Sequence, residues 1–166
     1  MLVDILRHLK TTLQNQLPAK LDQIELERAD GVTLEDVQSF LIQVGGGNTS
    51  KADVRLDARQ KYPSVIIWGE STSADNAISR RRELSHRISV WIADREVAPD
   101  SELPQTRLLH YVEAIERVLT PDPSLGGKAV NSTIVGHAYS HKGREEFTRR
   151  AVLIMEVMEW TSTSKY

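Results

Sequence analysis

The chain opens on a hydrophobic stripe. Leu2, Ile5, Leu6, Leu9, Leu13 and Leu17 recur at spacings of 3, 1, 3, 4 and 4, which places them on one side of a 3.6-residue spiral. This predicts an amphipathic helix that Pro18 stops, because proline has no amide hydrogen for the ladder. Leu21 to Arg28 predicts a short second helix with Leu21, Ile24 and Leu26 inward, and Asp30-Gly31 a turn. Two signals compete over Thr33 to Val44. Thr33 and Asp36 resemble a capping box, whereas Phe40, Ile42 and Val44 favour extended chain. The reading is a short helix or loop running into a strand near Phe40 to Val44.

Gly45-Gly46-Gly47-Asn48-Thr49-Ser50-Lys51 has the composition of a flexible loop, and a mobile loop is expected around 45–61. Pro63 then introduces a strand, Ser64 to Gly69. Val65 and Ile67 point one way and Ile66 and Trp68 the other, so both faces should be covered. Glu70 to Arg82 is polar and aperiodic, a long loop or a hairpin arm around 70–83. The clearest strand follows: Leu84, His86, Ile88, Val90 and Ile92 alternate with Ser85, Arg87, Ser89, Trp91 and Ala93.

Pro99-Asp100-Ser101 starts the main helix, with Pro104 tolerated in its first turn. Its predicted buried stripe is Leu108, Leu109, Val112, Ile115, Val118 and Leu119, and Pro121 and Pro123 end it. A strand is expected from about Ala129 to Tyr139, a turn at His141 to Arg144, and a long last strand from Glu146 to Trp160. Consecutive strand pairs read as hairpins. The fold class expected is α+β: a mainly antiparallel sheet of four to five strands with two or three helices packed on it, in a single domain over 1–166.

Composition narrows the function. The 21 basic and 23 acidic residues leave a net charge of −2, so the chain as a whole lacks the electrostatic footprint of a nucleic-acid binder. No apolar run approaches the length of a membrane span, and no membrane partner is expected. Met1 to Lys10 carries Asp4, Arg7 and Lys10 and does not read as a signal peptide. There is no cysteine, hence no disulfide, thiol nucleophile or thiolate metal ligand.

Candidate chemistry is sparse. The glycine triplet is not followed by the GK[ST] order and helix of a phosphate-binding loop. His137 and His141 lie four residues apart on a predicted strand and its turn, roughly 13 Å, too far to share one ion. His86 sits on an apolar strand side, where a packed, hydrogen-bonded histidine is the usual occupant, and no GxSxG elbow supplies it with a nucleophile. No catalytic, cofactor-binding or metal-binding residue is assigned. The sharpest charge feature is Arg80-Arg81-Arg82, with Arg87 nearby. It can pair with carboxylates of a neighbouring subunit through the guanidinium fork, hold a phosphate backbone, or remain solvated. Arg149 and Arg150 would extend it if they lay opposite. Trp91 shares a strand face with Ser85, Arg87 and Ser89 and is the tryptophan expected to meet a partner. Arg80, Arg81, Arg82, Arg87 and Trp91 are therefore the candidate interface.

Several stretches, in this order, carry a resemblance: Ala29-Asp30-Gly31-Val32-Thr33-Leu34; Tyr62-Pro63-Ser64-Val65-Ile66-Ile67-Trp68-Gly69; the strand Glu83 to Ile92; Ala114 to Leu119 leading into Pro123-Ser124-Leu125-Gly126-Gly127; and Arg150 to Val157. Together they resemble the tail terminator, or tail completion, proteins of long-tailed bacteriophages and related contractile particles. The resemblance implies a non-enzymatic virion protein, assembled in the host cytoplasm. It would form a ring, a homo-hexamer, that caps the tail tube and ends its polymerisation. Its implied partners are further copies of itself, the tail tube protein, and a neck or head-completion protein, with DNA passing through the ring lumen. The segment Leu34 to Tyr62 departs from the pattern. Competing readings are another head-tail connector, a nucleic-acid-binding module using Arg80 to Arg82, and, last, an enzyme.

Overall fold

The computed structural model describes residues 2–45, 61–74, 81–95, 103–141 and 148–162. Its elements run α1 (Leu2–Arg28), β1 (Ser39–Val44), β2 (Ser64–Ala74), β3 (Arg81–Arg95), α2 (Leu103–Leu119), β4 (Asn131–His141) and β5 (Thr148–Ser162). The five strands form one sheet in the order β1-β2-β3-β5-β4. The β2–β3, β3–β5 and β4–β5 pairs are antiparallel, and β1 lies parallel to β2. The class is α+β, as the pattern predicts. The expected mobile loop falls mostly on residues outside those described.

The expected break at Pro18 does not occur. The stripe continues through it, and α1 is a single helix of 27 residues with Leu17, Leu21 and Ile24 all buried. Interior proline costs about 3 kcal/mol. Each large apolar side chain taken from water returns about 1.5–3 kcal/mol, so the two buried beyond Pro18 offset the lost hydrogen bond. Leu26, expected inward, is 81% exposed, because two residues beyond Ile24 is about 200° around the helix. The same geometry corrects α2. Leu109 stands on the flank, exposed, while Tyr111 and Ala114 complete the buried stripe with Leu108, Val112, Ile115, Val118 and Leu119.

Both helices pack on one sheet face. Their stripes join Val65, Ile67, Ile88, Val90, Ile92, Leu153, Met155 and Val157 in one core. The helix approaches closely at Gly69: a Cβ there would sit 3.1 Å from Leu2 Cδ2 and 3.3 Å from Leu6 Cδ1. The opposite face carries a second, smaller cluster of Ile66, Trp68, Trp91 and Val152, with Ile154 against it. The apolar residues on both sides of β2 are thus buried, as their pattern requires.

The segment between α1 and β1 has no regular structure. It is tied down by Tyr111, whose hydroxyl donates to the Glu35 carbonyl at 2.8 Å and accepts from the Glu35 amide at 2.9 Å. Burial, with the Asp94 charge nearby, pushes that phenol up to about 12. Asp94 meets Arg107 at 3.0 Å. Burial still holds the Asp94 carboxyl above its ordinary range, against the pull of that guanidinium.

Candidate interaction surface

Beyond the helix-covered core the strands continue as an arm. The end of β2, Ser71–Ala74, is exposed, as are Arg81 and Arg82 at the start of β3. They pair as a hairpin, with Thr72 opposite His86 and Ala74 opposite Leu84, and β5 extends beside them to Ser162. Much of the polar stretch read as a long loop or arm is therefore ordered strand. Exposed strand needs no apolar alternation, which is why its periodicity was invisible.

A bulge marks the root of the arm. The β2–β3 register shifts between Gly69 and Ser71, leaving Glu70 as the extra residue. Bulges re-aim side chains, and the Glu70 carboxylate here accepts from Arg87 Nε at 3.2 Å and from the Ser89 hydroxyl. One residue along, His86 is buried with both ring nitrogens engaged: Nδ1 lies 2.8 Å from Thr72 Oγ1 and Nε2 lies 2.9 Å from Glu159 Oε2. His86 thereby ties β2, β3 and β5 together where the arm leaves the core. Sequence alone places His86 in the sheet but does not reveal Thr72 and Glu159 as its partners, or Glu70 as the partner of Arg87, because they come from other strands and one register contains a bulge.

The candidate interface residues are not brought together. Arg80 lies outside the described residues. Arg81 and Arg82 open β3, in register with Ser162 and Thr161. Arg87 stands six residues further along, roughly 20 Å away by strand rise, half-exposed and paired with Glu70. Trp91 is roughly 33 Å from Arg81. It packs in the second cluster at 9% exposure, and its indole Nε1 has no hydrogen-bond partner among the described residues. Arg149 and Arg150 do not extend the arginine run. They sit opposite Asp94 and Ala93, at the other end of β3.

The remaining polar clusters bind helix to helix. Arg28 makes a forked contact to Glu113, at 2.8 Å to each oxygen, and Arg117 bridges Glu113 at 2.7 Å and Glu27 at 2.8 Å. Burial alone would raise Glu113, but the two guanidinium groups hold it below its ordinary value. An open groove of about 520 Å³ beside this network is lined by Lys20, Gln23, Glu116, Thr120 and Pro121, among others. His110 donates to Asp30 at 2.7 Å, and that bond holds Asp30 below the usual carboxylate range. His137 reaches Glu116 at 3.8 Å. Among the described residues no group of three or more His, Asp or Glu side chains is placed to hold a metal ion, and no helix is long and apolar enough to cross a membrane.

No protein-family model matches the chain, and no curated protein matches it.

Proposed function

We propose that the chain is a structural protein of a phage tail or related contractile particle. Copies of it assemble into a six-fold ring that caps the tail tube, ends its polymerisation and joins it to the neck or head. Support comes from the ordered sequence resemblance and from an α+β fold with its helices on one sheet face. The observation that carries the reading is that the sheet outgrows its helices. A polar hairpin arm from β2 and β3, flanked by β5, continues past the core with exposed side chains. Such an arm adds little to the stability of an isolated copy, and it can supply the head-to-tail contacts that a ring of identical subunits needs.

The nucleic-acid reading draws less support. Arg87 is neutralised by Glu70, Arg149 and Arg150 are at the far end of the strand, and the net charge is −2. The direct test adds the purified chain to polymerising tail tube protein. Tubes that stop growing, each with a ring at one end, are the expected result. Unchanged tube length and steep, salt-dependent DNA binding would replace this reading with the nucleic-acid one.

A further inference from the structure

The two edge strands are the least charged in the sheet. Neither β1, Ser39–Val44, nor β4, Asn131–His141, contains a single Asp, Glu, Lys or Arg. Every internal strand contains at least one, such as Glu70 on β2, Arg87 on β3 and Glu156 on β5. This inverts the usual protection of sheets, in which edges carry charge or proline to repel unwanted strands. Neither edge has a proline, the one irregularity is a bulge at Val135 on β4, and no described strand lies beyond either. Both carry exposed apolar side chains: Leu41 at 37% and Val44 at 58% on β1, Val135 at 48% and Tyr139 at 54% on β4. Helix α2 leaves the β4 flank open. Glu116 reaches back to His137, and Leu109, two turns earlier on that side of the helix, is exposed.

We infer that β4 of one copy joins β1 of the next, edge to edge, so that the sheet runs on from subunit to subunit around the ring. The inference rests on the proposed ring and names its junction. A single uncharged edge would fit any partner strand. Two, on opposite sides of one sheet, fit each other and generate the head-to-tail contact that a closed ring requires. Strand direction agrees. β1 runs with β2, and three successive antiparallel pairings reverse the direction by β4. A neighbour related by rotation about the strand direction therefore presents its β1 antiparallel to β4, the slightly more stable ladder. The junction spans the six residues of β1 and leaves the rest of the longer β4 uncovered.

The absence of cysteine makes the test clean. Leu41→Cys and Val135→Cys chains are mixed and treated with a short bismaleimide, each single variant alone serving as control, and a parallel sample is imaged for rings. Within one copy the two positions lie four strand spacings apart, about 19 Å, so a short linker reports contacts between copies. The expected product is a dimer of one chain of each kind, formed only in the mixture. In the doubly substituted chain a ladder of higher oligomers should form. Cross-linked dimers from Val135→Cys alone would show β4 meeting β4 and overturn the junction. Rings that form with no Leu41-to-Val135 product would overturn the junction but not the ring. A wild-type chain that stays monomeric at high concentration would overturn both.

Discussion

The two halves of β3 are made for different surroundings. From Ile88 to Asp94 every residue is buried, packed against the helices on one face and contributing Trp91 to the smaller cluster on the other. From Arg81 to Ser85 the same strand, in unbroken register with β5, is exposed or half-buried. The hydrogen-bond ladder is common to both halves, so it does not explain why the core is stable. Side-chain burial does, and the arm persists because it is a continuation of strands anchored below it. His86 and the Glu70 bulge stand at the boundary. A protein that extends strands past its own core spends chain length on something other than its own stability.

Substitutions on the two sides of that boundary should separate sharply. Ile88→Ala removes a fully buried side chain and should cost about 2–5 kcal/mol in denaturant unfolding. Tyr111→Phe comes next. It removes both hydrogen bonds to the Glu35 backbone and should cost about 1–3 kcal/mol by leaving those groups unpaired. Pro18→Ala should act in the opposite direction. It restores a missing amide donor within α1 and should raise stability by about 1 kcal/mol or more. A loss instead would mean that the proline ring itself is needed where the stripe meets the sheet.

Acid provides a smaller and signed effect. Asp30 is held below its ordinary value by His110, and Asp122 by the Ser124 hydroxyl and the Gly126 amide. A carboxylate with a lowered folded pKa contributes fully above its unfolded value, about 4, and loses that contribution as pH falls through the folded one. Asp94, raised by burial, has the opposite sign and favours folding more as it protonates. Asp30→Asn should therefore lessen the fall in melting temperature between pH 5 and pH 3. The smallest effect on stability belongs to the arm. Arg82→Ala should shift unfolding by no more than about 0.5 kcal/mol. If the arm grips neighbours, the same variant should weaken assembly visibly by sedimentation.

Legibility in the sequence followed the same boundary. Where side chains are buried on a regular repeat, as in α1, α2 and the strand from Leu84 to Ile92, the elements could be read directly. Pro18 misled because a local rule was weighed without the burial waiting beyond it at Leu21 and Ile24. Leu26 and Leu109 misled because an apolar residue near a stripe was assumed to belong to it. The parallel pairing of β1 with β2 left no local trace, since it depends on how the chain between them returns. In the candidate surface, the arginine run was legible as sequence but not as geometry. Strand rise carries Arg81, Arg87 and Trp91 far apart, and the partner of Arg87 is supplied by a bulge that no periodicity announces.

The central claim is that this fold is one segment of a ring. Electron microscopy of the purified wild-type chain, at rising concentration and again after addition to tail tubes, addresses it most directly. The account predicts closed six-membered rings with a central hole, found also at one end of each tube. A uniform field of single compact particles at every concentration, with bare tube ends, would contradict it.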